Sequence, residues 1–251
     1  MDFGIRGKWA VIGASSQGLG FGCADALAAE GVNLVVNARR AGPLAEAADR
    51  LRSHGVTVHD IAGDISDPSV RASLLDVAPQ VDILVTNAGG PPPGDFRDWD
   101  EGDWLAALKR NMLTPVELIK ATVDDMAERG FGRVVNITSG AVKAPIAQLG
   151  LSNGARSGLT GFVAGVARQP QLASANVTVN NLLPGRFATA RLAQTAQSGG
   201  GAAPSTDGVP AGRFGDPAEF GATCAFLCSA QAGYITGQNV LIDGGAYPGT
   251  M

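Results

Sequence analysis

Three cysteines and two histidines are all that these 251 residues contain, and neither set suggests a site. Cys23, Cys224 and Cys228 are an odd number in a chain that opens Met-Asp-Phe-Gly-Ile-Arg-Gly-Lys. That opening lacks the basic-then-apolar pattern of an export signal, so no disulfide framework is expected and the expected location is the cytoplasm. Cys224 and Cys228 share one face of an expected helix with no histidine or carboxylate clustered beside them. They read as buried small apolar residues, with a two-thiolate metal site as the alternative. His54 and His59 flank a short strand signal and have no recognisable catalytic neighbour. No apolar run approaches the ~20 residues of a membrane span. A net charge of −4 supplies neither a basic field for nucleic acid nor a polybasic membrane patch. Tyrosine is as scarce as histidine, and both copies, Tyr234 and Tyr247, fall near the C-terminus.

What the chain does have is 45% apolar residues, 17% charged residues and 35 glycines, a composition suited to a tightly connected sheet-and-helix protein. Its length is enough for one large α/β domain spanning 1–251. Apolar β-type runs at Lys8–Ile12, Asn33–Asn37, Val56–Asp60, Val81–Thr86, Arg133–Ile137, Val177–Leu182 and Asn239–Ile242 alternate with helical patterns near 19–30, 43–54, 67–78, 101–128, 153–174 and 216–229. Nearly continuous Val, Ile and Leu in the strands, with helices between them, predicts a seven-stranded parallel sheet covered on both faces. Asp67-Pro68 and Asp216-Pro217 each place a capping side chain before a proline at a first helical position. One stretch breaks the composition. Residues 194–212 are rich in glycine and poor in large apolar residues, and with the residues from 186 they read as a mobile lid over a site, or as a surface insertion.

After the first strand comes Gly13-Ala14-Ser15-Ser16-Gln17-Gly18-Leu19-Gly20, opening a helix. Glycines at such a turn let the backbone approach a pyrophosphate, which the helix N-terminus favours with free N–H groups and its dipole. A glycine turn alone can be a packing solution; inside a βαβ pattern it is a dinucleotide signal. The turn resembles the Thr-Gly-x-x-x-Gly-x-Gly motif of the short-chain dehydrogenase/reductase family, with Gly13 at the threonine and Ala14 at the first glycine. Further matches follow in family order. Asp64-Ile65 resembles the adenine-contacting pair, Asn87-Ala88-Gly89 the turn after the fourth strand, and Asn111 the structural and catalytic asparagine. Pro184-Gly185 with Phe187 and Thr189 resembles the loop that closes on the nicotinamide, and Tyr234 to Gly245 the C-terminal strand. The resemblance covers about residues 5–247, most strongly to the 3-oxoacyl-ACP reductase branch. It implies a doubly wound Rossmann fold, a nicotinamide dinucleotide held by these residues, a small-molecule substrate and a homo-oligomer, either tetramer or dimer. The apolar stretch Leu159–Val166 permits such an assembly.

At the end of the second strand an acidic residue would bind the ribose hydroxyls of NAD and repel a 2′-phosphate. Here the sequence is Asn37-Ala38-Arg39-Arg40, whose arginines favour NADP(H), although Arg40 also reads as a solvated loop charge.

The reaction centre departs from the family. Ser139 is retained, but the family's catalytic tyrosine and lysine are replaced by Ser152 and Arg156. An aliphatic hydroxyl is shorter and a far weaker acid than a phenol. Arg156 retains a cation to hold the nicotinamide ribose but does not release a proton. General acid–base work is typically ~10²–10⁴-fold, so plain carbonyl reduction should suffer. Lys143 either supplies a proton over the substrate pocket or is a solvated loop lysine. Ser139 or Ser152 relaying a proton from water is another route. A substrate that needs no strong acid, such as an iminium or a conjugated alkene, is a third. Arg186 and Arg191 are candidates for an anionic substrate, with surface solubility as the alternative. Pro91-Pro92-Pro93-Gly94 reads as a stiff loop shaping the pocket. The function expected is NADP(H)-dependent hydride transfer to or from a small ketone, imine or enone. A redox-inactive dinucleotide-binding partner protein and a non-redox enzyme are the alternatives.

Overall fold

The computed structural model describes residues 1–192 and 203–250. Seven strands, β1 (Trp9–Ile12), β2 (Asn33–Ala38), β3 (Val58–Ala62), β4 (Ile83–Thr86), β5 (Gly132–Ile137), β6 (Val177–Pro184) and β7 (Asn239–Ile242), form one sheet in the order β3-β2-β1-β4-β5-β6-β7. Every pairing is parallel, as continuous apolar strands separated by helices require.

Successive strand residues point to opposite faces, and this parity divides the interior into two cores. Ala10, Ile12, Leu34, Val36, Ile83 and Val85 enter one core with α1 (Gly18–Ala29), α2 (Ala41–Arg52) and a late helix, Pro217–Cys228. Val11, Val35, Leu84 and Val134 enter the other with α3 (Pro68–Asp76), α5 (Thr114–Lys120), α6 (Val123–Glu128), α7 (Gly150–Val166) and α8 (Pro170–Ala173). The late helix is α9 among the described residues. Cys23, Cys224 and Cys228 are free and fully buried in the first core, as their apolar reading requires.

The capping signals do what their residue types allow. Asp67 accepts from the Ser69 N–H at the start of α3, and Asp216 with Glu219 closes a capping box on α9. A second box, Asp100 with Asp103, starts α4 (Glu101–Leu108).

Two expected helices are broken. The 101–128 stretch passes through a π-helical turn at Lys109–Leu113, where the Thr114 hydroxyl donates to the Lys109 carbonyl at 2.8 Å. The 153–174 stretch starts earlier, at Gly150, and stops at Val166; Gln169 is extended before Pro170, which cannot continue a helix from its predecessor. A polar row, buried from Thr86 to Asn181 and exposed at Asn239, also crosses the sheet. Thr86 donates to Asn136 Oδ1 at 2.6 Å, Asn136 to the Asn180 carbonyl, and Asn181 to Asn239 Oδ1 at 2.8 Å.

Strand order reverses between β1 and β4. In an open parallel sheet that reversal leaves a crevice at the carboxyl ends of the strands, where ligands bind.

Candidate active site

The turn after β1 is built for close backbone approach. A Cβ on Gly20 would lie 2.3 Å from the Ala14 carbonyl oxygen, and Gly18 has φ +61°. Ala14 itself has φ +47°, so the methyl that replaces the family's glycine sits in the left-handed region and carries strain. Asn87 Nδ2 donates to the Ala14 carbonyl at 3.3 Å and ties this turn to the end of β4. Across the crevice, the Thr189 methyl lies 3.5 Å from where a Gly18 Cβ would stand, so the loop after β6 closes on the glycine turn.

Several expected cofactor residues have side chains already committed within the fold. Ser15 is fully buried; its hydroxyl donates to the Ile12 carbonyl at 3.1 Å and accepts from the Asn37 N–H at 3.2 Å. The Phe187 ring is core, edge-on to Phe220 at 5.3 Å, and Ile65 is buried in the opposite core. Gly13, Ser16 and Gln17 lie in the turn before α1, Leu19 is in α1 and packs against the first core, and Ala88 follows β4 and packs against the second. Asp64 accepts from the Ser66 hydroxyl and N–H and stands 3.6 Å from Arg110. Those hydrogen bonds and the nearby cations hold its carboxyl below the usual range. Arg39 and Arg40 are exposed at the end of β2, where Asn37 turns its amide inward onto the Ile61 and Gly63 carbonyls. No acid stands on β2 to repel a 2′-phosphate.

On the substrate side the π-helical turn presents Asn111. Its Nδ2 donates to the Gly89 carbonyl at 3.3 Å, while its buried Oδ1 has no partner among the described residues. Asn111 lines a cavity of about 70 Å³ with Pro91, Pro92, Asp103 and Leu151. Ser139 follows β5, half-buried, its oxygen accepting from the Ala141 N–H at 3.1 Å. Ser152 and Arg156 lie one turn apart on α7. Ser152 is buried and no residue donates to or accepts from its hydroxyl among the described residues.

Arg156 donates through Nη1 to the Thr138 carbonyl, and its Nε is sealed from solvent without a partner among the described residues. Burial, with a smaller contribution from Arg191, pushes its guanidinium down to about 10, so it remains a cation at neutral pH.

The two other arginines behave differently from each other. Arg186 is exposed and donates to the Ser205 and Asp207 carbonyls at 2.7 and 2.8 Å, fastening the segment after residue 202 to the loop after β6. Its expected role toward an anion is not what the geometry shows. Arg191 instead points inward, donating through Nη2 to the Pro91 carbonyl at 2.7 Å. Much of the expected lid, 193–202, lies outside the described residues. The part from 203 to 212 has an anchor that its composition does not announce: Val209 is buried, and the Ala211 N–H donates to the Gly244 carbonyl.

Lys143 is half-buried, its Nζ 5.8 Å from the centroid of the Tyr247 ring. Sequence spacing set that tyrosine aside as C-terminal; the turn after β7 brings it back beside Lys143. Gly90 was also missed. Its only sequence signal is its position between Gly89 and Pro91.

The comparisons with known proteins follow this geometry. The family model described as enoyl-(acyl carrier protein) reductase matches residues 13–247. Bovine (Bos taurus) dehydrogenase/reductase SDR family member 4 is 32% identical over 249 residues, 96% of this chain and 88% of that protein. The 3-oxoacyl-[acyl-carrier-protein] reductase FabG of Vibrio cholerae serotype O1 is 31% identical over 258 residues, 97% of this chain and 98% of that one. Among solved structures, L-sorbose reductase from Gluconobacter frateurii, complexed with NADPH and L-sorbose, superposes with a TM-score of 0.91. It is 29% identical, over 99% of this chain and 100% of the other.

Proposed function

This chain belongs to the short-chain dehydrogenase/reductase family, and from that footing we propose that it is an NADP(H)-dependent oxidoreductase with a non-standard proton route, acting on a small ketone, imine or enone. One observation carries the reading. The glycine turn, the Asn87–Gly90 turn, Asn111 and Ser139 converge at the carboxyl ends of β1, β4 and β5, with Thr189 closing on Gly18 from β6.

The residues fit a dinucleotide. Gly20 leaves no room for a side chain beside the turn, α1 offers its free N-terminal N–H groups, and the exposed Arg39 suits a 2′-phosphate. When bound, a nicotinamide cofactor supplies the hydride. The protein's part is positioning and charge. Asn111 holds the Gly89 carbonyl and with it the crevice floor, Ser139 presents a hydroxyl to the substrate, and Arg156 keeps a fixed cation where the family has lysine. Without a phenol at position 152, the proton donors assigned to the site are Lys143 and Tyr247, which stand together. Substrates that demand little of an acid suit this site best: an iminium carbon accepts hydride without prior protonation, and a conjugated alkene develops charge away from the carbon attacked. The homo-oligomer is part of the same proposal; Val116, Ile119, Val123, Phe162, Val166 and Leu172 leave an apolar recess between α5 and α8 for a second copy.

The test is calorimetry with NADPH and NADH, followed by turnover with a panel of ketones, cyclic imines and enones read by loss of nicotinamide absorbance. Tight NADPH binding with turnover of imines or enones over plain ketones is expected. Cofactor binding without any turnover would favour a redox-inactive binding protein, and no binding of either dinucleotide would overturn the proposal.

A further inference from the structure

We infer that Trp99 sets the size of the substrate. Its indole, wedged between Gly94 and Gly150, walls the substrate end of the crevice, so the natural substrate is a compact ketone, imine or enone without a bulky substituent at the reacting end. The inference rests on the oxidoreductase reading above and narrows it.

Two glycines meet one indole from separate loops. A Cβ on Gly94 would lie 2.9 Å from Trp99 Nε1, and a Cβ on Gly150 2.5 Å from Trp99 Cζ3. Packed side chains do not approach so closely, so the ring occupies the space that any larger residue at 94 or 150 would need. Neither glycine is there for its backbone, since neither has a positive φ. One turn further along α7 the arrangement repeats. A Cβ on Gly154 would stand 2.9 Å from Trp104 Cζ3, and Trp104 meets Trp99 edge-on at 6.0 Å. Glycine within a helix is destabilising relative to alanine, and α7 accepts that cost where the second indole lies.

Topology puts this packing beside the reaction centre. Strands β4 and β5 are neighbours, and the loops leaving their carboxyl ends carry Gly90 and Trp99 on one side and Ser139 and Gln148 on the other. The two loops are tied together: the Gly94 N–H donates to the Gln148 carbonyl at 2.9 Å. The base of the same wall is closed as well. Arg191 donates to the Pro91 carbonyl, and both Arg191 and Arg156 pack against Gly90. Gly150 begins α7 two residues before the buried Ser152, so the indole stands at the helical turn that carries the altered position.

What remains inside the wall is small. The cavity bounded by Pro91, Pro92, Leu151 and Asn111 holds about 70 Å³. A cavity that takes up benzene has about 150 Å³. A phenyl group therefore does not fit unless the wall moves, and Trp99 is its largest side chain. Tight apolar walls discriminate by single methylenes, worth roughly 10–200-fold in kcat/KM, so the indole acts on the choice of substrate and not on the hydride step.

The test measures kcat/KM with NADPH for pairs in which a methyl is exchanged for a phenyl: ethylideneacetone with benzylideneacetone, and the methyl- with the phenyl-substituted cyclic pyrroline. The same compounds are titrated calorimetrically into the protein with and without NADP+, where no hydride is available. Wild type is expected to favour the methyl member of each pair by about tenfold or more. Trp99→Ala is expected to shrink that ratio at least about tenfold while NADPH affinity stays within about twofold, and Trp99→Phe to keep most of the wild-type ratio. Trp99→Leu, smaller than the indole but still apolar, serves if the alanine variant does not fold. A wild type that favours the phenyl members overturns the inference. So does a folded variant that loses both members in equal proportion, because the tryptophan is then structural only. Absence of turnover with every compound counts against the oxidoreductase reading instead, and the calorimetric preference then decides the wall by itself.

Discussion

Replacing Arg156 by methionine should make the ligand-free protein more stable while crippling it as an enzyme. Burial pushes this guanidinium well below its ordinary value, to about 10, and each unit corresponds to about 1.36 kcal/mol. Taken whole, the shift amounts to roughly 3 kcal/mol of penalty at neutral pH. The side chain still borders the cleft, so screening by water lowers this to about 2 kcal/mol. Methionine has similar length and no charge, but it forfeits the hydrogen bond to the Thr138 carbonyl, about 1 kcal/mol. The net gain is about 1 kcal/mol, or roughly 2–4 °C in Tm for a chain of this size. The pH dependence gives the sign. A base whose folded value lies below its unfolded one is penalised fully below the folded value, and the penalty fades as pH rises from about 10 towards the ordinary guanidinium range. The advantage of Arg156→Met should therefore be full at pH 7 and shrink above pH 10. Paired thermal unfolding at pH 7 and pH 10.5 without ligand decides the matter. A variant melting below wild type at pH 7 would show that the arginine supports the fold, and the account of an uncompensated cation would be wrong.

Other expectations follow from single residues. Ala14→Gly relieves a left-handed alanine, worth about 1–2 kcal/mol. Against the added unfolded-state freedom of glycine it should stabilise by about 0.5–1 kcal/mol in denaturant unfolding. Arg39→Asp should weaken NADPH binding at least about tenfold and improve NADH, because an acid at the end of β2 repels the 2′-phosphate; unchanged preference would remove Arg39 from the site. Glu219 is held near pH 2, first by Arg213 at 2.6 Å and then by the Asp216 N–H. Its depressed value stabilises the fold above pH 4.5, a contribution lost as pH falls towards 2. The Tm deficit of Glu219→Gln at pH 6 should accordingly vanish near pH 2, and a deficit independent of pH would count against the assignment.

Much of this protein can be read from local chemistry. The alternation of Val, Ile and Leu runs with helical patterns was enough to anticipate a seven-stranded parallel sheet, because a strand covered on both faces must be apolar throughout. The glycine turn signals a dinucleotide site, since only backbone freedom is at issue there, and the acid-free end of β2 is what the NADP(H) proposal rests on. That Ser152 stands at the family's tyrosine position is likewise an expectation from the sequence. Side-chain commitments are not. Nothing in the sequence distinguishes Ser15, whose hydroxyl fastens β1 to β2, from Ser16, or sends Phe187 into the core and Arg186 out to the Ser205 carbonyl. Tyr247 comes beside Lys143 because β6 joins β5, which precedes Lys143, to β7, which precedes Tyr247, and no spacing reveals that. The meeting of Arg156 and Arg191 over Gly90 is of the same kind. One is on α7 and the other beyond β6, and only the sheet's strand order, bringing the ends of β4, β5 and β6 to one edge, packs both guanidinium groups against the same glycine.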